Sequence, residues 1–162
     1  MHTEKDFIQL IGENQKIIHK VCNLYMNNEQ DKKDLFQEIL LSAWKGYSNF
    51  KGDAKFSTWL YRVSLNTAVT FYRKEKRQIA TVPMQPEFTT AEENYHADEE
   101  QLTAMYISIN HLSAIDKALV MLYMEDYDYV EIGEMLGITA NNVAVKINRI
   151  KSKLKESAKK YL

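Results

Sequence analysis

At 162 residues, 45% of them hydrophobic, the chain has the length of one ordinary domain or two small ones and enough apolar content for packed cores. No uncharged apolar run approaches the roughly 20 residues of a membrane span. Met1 to Leu10 carries Glu4, Lys5 and Asp6 and has no apolar leader core, so the reading is a soluble, cytoplasmic protein without direct membrane insertion. The formal charge of -1 hides an uneven distribution. Lys51, Lys55, Arg62, Arg73, Lys74, Lys76 and Arg77 lie in one block, and Lys146, Arg149, Lys151, Lys153, Lys155, Lys159 and Lys160 in another. Between Gln78 and Asp116 there are acids, Glu87, Glu92, Glu93, Asp98, Glu99 and Glu100, but no Lys or Arg.

The apolar spacing is helical from the start. Phe7, Ile8, Leu10 and Ile11, then Ile17, Ile18, Val21, Leu24 and Tyr25, predict a long first helix interrupted near Gly12. Cys22, next to Val21, reads as a small buried hydrophobe. Leu35, Phe36, Ile39, Leu40 and Ala43 predict a second helix that runs into Trp44 and ends in the Gly46 to Gly52 stretch. Trp59, Leu60, Val63, Leu65, Ala68, Val69 and Tyr72 predict a third. Pro83 and Pro86 then fall in a stretch of low hydrophobicity, where a missing backbone N–H disfavours helix.

Residues 78–98 are therefore read as a flexible acidic linker between two small all-helical domains, 1–77 and 99–162. Past it, Leu102, Met105, Tyr106 and Ile109 predict a fourth helix, and Ser113 followed by Asp116 caps a fifth. No segment alternates long enough to be a strand.

The C-terminal domain carries the most specific local pattern. Asp128 with Glu131 repeats the capping signal, Tyr129, Ile132, Met135 and Leu136 point inward, Gly137 ends the helix in a left-handed turn, and Thr139 caps the next. Two short helices joined by such a turn form a helix-turn-helix, which presents its second helix to the major groove. Gly133 is read as a small residue where those helices cross. In the last helix Val143, Ile147, Ile150 and Leu154 line the core face, which leaves Asn141, Asn142, Ala144, Lys146, Asn148, Arg149 and Lys151 on the others. Asn pairs with adenine through two hydrogen bonds, and Lys and Arg neutralise phosphates, so these residue types in this pattern point to DNA.

The four histidines, His2, His19, His96 and His111, are scattered, without metal-ligand spacing, and no glycine-rich phosphate loop is present. Neither an enzyme nor a cofactor is expected. A dimeric helix-turn-helix repressor is the competing reading. It needs one basic surface per subunit, whereas this chain has two basic blocks.

Asp34-Leu-x-Gln-Glu, Phe56-x-Thr-Trp-Leu-Tyr-Arg and Tyr129-x-Glu-Ile-Gly-x-x-Leu-Gly137, in that order, resemble bacterial RNA polymerase sigma factors of the extracytoplasmic-function (ECF) group. The resemblance runs from about residue 6 to 160 and leaves the linker unaligned. It implies a protein that binds core RNA polymerase and promoter DNA, with an anti-sigma factor as a further partner. By position, Asp34, Gln37, Glu38 and Leu41 would contact the polymerase. Gly52, Asp53, Ala54, Lys55, Phe56 and Asn66 would form a pocket for a flipped minus-10 base, with Arg62, Arg73 and Lys74 on the strand backbone. Thr139, Asn141, Asn142, Ala144, Lys146, Asn148, Arg149 and Lys151 would meet the minus-35 duplex. Here the sequence departs from the group's pattern: Ala144 and Val145 stand where a basic residue and a serine are common.

Overall fold

A computed structural model describes residues 2–79 and 107–161, and all regular structure among them is helical. The chain divides into two compact units, Met1–Lys74 and Glu75–Leu162. The expected linker, 78–98, lies outside the described residues from 80 onward, as do Leu102, Met105 and Tyr106 of the expected fourth helix; residues 107–110, which include Ile109, are helical.

The first unit opens with α1 (Glu4–Glu13), capped by Thr3, whose hydroxyl accepts from the Asp6 N–H. The interruption expected near Gly12 falls at Asn14, and Gly12 itself stays helical in open space. Asn14 leaves helical geometry, and its side-chain amide donates to the Leu10 carbonyl at 2.8 Å. That bond satisfies a carbonyl the broken helix would leave unpaired, the local side-chain-to-backbone competition that asparagine can offer and glycine cannot. Then come α2 (Gln15–Tyr25), α3 (Glu29–Tyr47), with Asn28 accepting from the Asp31 N–H at its start, and α4 (Phe56–Ile79).

Helix α2 packs on α3. Ile18 and Val21 of α2, Leu35, Ile39 and Ala43 of α3, and Leu60, Leu65 and Ala68 of α4 are fully buried. Each large member of that set contributes about 2 kcal/mol relative to exposure. The Tyr25 and Tyr72 rings meet edge-on at 5.7 Å, tying α2 to α4.

In the second unit α5 (Ala114–Met124), α6 (Tyr129–Leu136) and α7 (Ala140–Tyr161) all touch one another. Leu119, Leu122, Ile132, Val143 and Ile147 form the core. The three expected caps are present. Ser113 Oγ accepts from the Asp116 N–H at 3.2 Å, Asp128 Oδ1 from the Glu131 N–H at 2.8 Å, and Thr139 Oγ1 from the Asn142 N–H at 3.1 Å. Gly137 takes a φ of 74° and turns the chain from α6 into α7.

Candidate nucleic-acid and polymerase interfaces

The outer face of α3 is built by helical spacing. Gln37, Glu38 and Leu41 are exposed, and Asp34, half-buried, accepts a hydrogen bond from Gln30 Nε2 at 3.0 Å, which fixes its carboxylate. Leu41 leaves 49% of its surface uncovered. Trp44, one turn further, joins this face. Its ring packs on Phe7 at 5.1 Å yet remains 44% exposed. The sequence carries the second helix into Trp44 without giving it a role; its exposure in the folded chain adds it to this acidic and apolar face.

The loop after α3 turns at Gly52, with φ 78°. Gly52, Asp53, Ala54 and Lys55 are exposed. Phe56 is placed differently: it is buried, with its ring 5.7 Å from Phe50, 5.4 Å from Trp59 and 6.3 Å from Tyr47. The imidazole of His2 meets the Phe50 carbonyl in a short hydrogen bond, so the N-terminus also braces this cluster. Phe56 is thereby the floor beneath the loop, separate from the exposed residues, and Trp59, half-buried, is a member of the same cluster.

Along α4, Arg62, Asn66 and Arg73 recur at helical intervals and are exposed, with Lys74 beside them. Thr70 belongs to that row, exposed, with its hydroxyl donating to the Asn66 carbonyl at 3.0 Å. A lone threonine carries no charge or aromatic signal, so its membership emerges from the geometry alone.

In the second unit α6 and α7 cross closely at Gly133. A Cβ there would lie 2.5 Å from the Ile138 carbonyl oxygen, so no other residue fits without movement. The seam Val143, Ile147 and Ile150 is buried. Asn141, Asn142, Asn148 and Arg149 are exposed on α7, as is Thr139 ahead of it, while Ala144 and Lys146 are half-buried at the margins.

Lys151 is exposed but engaged. Its ammonium sits 4.6 Å from the Tyr123 ring centroid, and a hydrogen bond with Tyr123 raises its pKa, with the nearby Tyr129 adding to the shift. The two tyrosine rings stack at 6.5 Å. Asp128, the α6 cap, has its carboxyl held below the ordinary range chiefly by the Glu131 N–H, and the side-chain hydrogen bond to Asp128 raises the Glu131 pKa.

Among the described residues no group of three His, Cys, Asp or Glu side chains is placed to hold a metal ion, and no helix is long and apolar enough to cross a membrane. What these surfaces offer is hydrogen bonding, positive charge and apolar contact.

Two family models match. Sigma-70 region 2 covers residues 10–78, and Sigma-70, region 4, covers residues 106–154. The chain is 26% identical over 149 residues to the ECF RNA polymerase sigma factor SigM of Mycobacterium tuberculosis, covering 91% of this chain and 74% of that one. With the ECF RNA polymerase sigma factor SigW of Bacillus subtilis the identity is 24% over 152 residues, covering 86% and 81%.

The fold is similar to that of the sigma factor RpoE solved in complex with the anti-sigma factor NepR from Bartonella quintana, with a TM-score of 0.71 and 19% identity over 96% of this chain and 98% of that one. It is also similar to CnrH solved with the cytosolic domain of CnrY, with a TM-score of 0.65 and 21% identity over 95% and 88%. With the region 2 match on the first unit, the region 4 match on the helix-turn-helix and ECF factors aligned along most of its length, the chain belongs to the sigma-70 family, in its ECF group of RNA polymerase sigma factors.

Proposed function

We propose that this sigma factor divides promoter-specific transcription initiation among three of its surfaces. The α3 face docks on core RNA polymerase: Asp34 and Glu38 meet basic groups there, while Gln37, Leu41 and Trp44 supply hydrogen bonding and apolar contact. The loop Gly52 to Lys55 and the α4 row take the minus-10 element. Flipping a base costs a few kcal/mol of unstacking, which a pocket that stacks and hydrogen-bonds it offsets. Asn66 and the exposed loop offer that pocket, Phe56 supports it from below, and Arg62, Arg73 and Lys74 hold the strand backbone. Helix α7, introduced by Thr139, reads the minus-35 duplex through Asn141, Asn142 and Asn148, with Lys146 and Arg149 on phosphates and Ala144 against the groove wall. Lys151 reaches the duplex from its seat on Tyr123.

Residues 1–77 and 99–162 are the two domains in this proposal and 78–98 the tether between them. Phosphodiester chemistry belongs to the polymerase, and this chain supplies no catalytic group. The protein works in the cytoplasm, where promoter and polymerase are. An anti-sigma factor is its second protein partner, a reading supported by the similar fold of a sigma factor solved with NepR.

The observation that carries the proposal is that exposed cations lie on both α4 and α7, one in each unit, while α3 carries an acidic face. A repressor would need only one of the two. The test is reconstituted transcription: core enzyme with this chain is expected to start at specific sites, while the chain alone binds the same duplex weakly. Absence of promoter-dependent product from every fragment that carries a start site mapped after overexpression would overturn it.

A further inference from the structure

The first six residues of α7, Ala140 to Val145, carry no charge, and the cations begin at Lys146. Within that stretch the outward side chains are Asn141, Asn142 and Val145. Val145 leaves 44% of its surface exposed, although it sits on a helix whose other outward positions are polar. It lies two residues from the buried Ile147, roughly 200° round the helix, which puts it opposite the core seam rather than at its margin. A β-branched apolar residue there has poor helix propensity and sits away from the core seam, so the folded chain gives little reason for it.

Two exposed amides bracket it: Asn141 four residues before and Asn148 three residues after. From Asn141 to Asn148 the axis advances about 10.5 Å, some three base-pair steps at about 3.4 Å each. The duplex major groove presents a single apolar group, the 5-methyl of thymine.

We propose that Val145 reads a thymine by packing on its 5-methyl group in the minus-35 element. This rests on the assignment of α7 to that duplex. It replaces a hydrogen-bonded contact with an apolar one, so the discriminating feature at that base pair is a methyl group rather than a donor or acceptor. The flanking asparagines favour adenine, which makes the segment under this stretch of helix rich in A·T pairs. Arg149 and the cations beyond it hold the phosphates and leave this discrimination to the neutral residues.

The test uses holoenzyme, full-length chain on core polymerase, to select active promoters from a duplex pool whose minus-35 segment is randomised. Each selected thymine is then replaced singly by deoxyuridine, which pairs identically and lacks only the methyl. At one position the replacement should weaken promoter binding about fourfold, the worth of one buried methyl group. The same replacement should cost nothing with V145A, whose exposed site leaves helicity unchanged. A minus-35 element without a uracil-sensitive position, or an equal uracil penalty in V145A, overturns the inference while leaving the sigma reading intact. Recovery of no selected element at all overturns both.

Discussion

At Gly133 a methyl group would collide with the Ile138 carbonyl oxygen, a backbone atom that cannot swing aside. Gly133→Ala is therefore expected to destabilise the second unit by about 2 kcal/mol, the usual cost of forcing an atom into a packed site. Both tryptophans, Trp44 and Trp59, belong to the first unit. Urea unfolding should thus show an earlier loss of helical dichroism with an unchanged tryptophan-fluorescence midpoint, and a shift of both would contradict this local account.

Cys22 offers a residue-scale prediction for the first unit. Burial pushes its thiol up from 9.0 to about 11, opposed in part by Lys32. The thiolate is then favoured in the unfolded chain, so the stability contributed by the buried thiol is complete below pH 9 and is lost as pH rises toward 11. Burial, with Tyr72 nearby, raises the Tyr25 pKa as well and adds to the loss above its ordinary 10.0. Fluorescence-detected unfolding should weaken over that window, with a smaller decline in C22A. At neutral pH, alkylation of Cys22 should need prior unfolding, because thiolate is the reacting form.

On α3, carboxylates and apolar surface share one face, and the proposed docking is testable at that scale. Reversing Asp34 and Glu38 to lysine should lower affinity for core polymerase by about tenfold or more, because like charges would then face the basic partner. Both carboxylates lie outside the core, so dichroism should keep its helical signal. Unchanged affinity would remove the pair from the docking face.

Elements were largely legible in the sequence where a few adjacent residues decide the structure. Ser113, Asp128 and Thr139 cap helices because each oxygen reaches an N–H three residues on, and Gly137 turns because only a residue without Cβ takes φ 74° at little cost. Tertiary partners hid the rest. Phe56 and Trp44 are both large aromatics, and nothing local distinguishes the one that fills the cluster under the loop from the one left 44% exposed. Lys151 lies against Tyr123 only because α5 and α7 pack together, a pairing that linear spacing does not encode. The break expected near Gly12 falls two residues on, at Asn14, where a side-chain amide ends the helix by capturing the Leu10 carbonyl, a local detail that apolar spacing does not carry.

For the molecule as a whole, a net charge of -1 coexists with cationic surfaces on separate units. A whole-chain sum does not describe the local fields, since exposed charges further apart than a Debye length of about 8 Å are largely screened from one another. Recognition should then divide into contributions that add. Asn66 stands for the first unit's DNA surface and Arg149 for the second's, each exposed and neither within the other's unit. If the proposed contacts hold, Asn66→Ala and Arg149→Ala should each weaken promoter binding by the holoenzyme, and only Arg149→Ala should lower the salt dependence, by about one unit of slope, because of the two it alone removes a positive charge. In the double variant the two losses should sum to within about 0.5 kcal/mol, as expected for sites that touch different segments of the promoter. A coupling energy well beyond that bound would mean that one DNA contact forms only after the other, and the two surfaces would then be steps of one recognition event rather than independent readers.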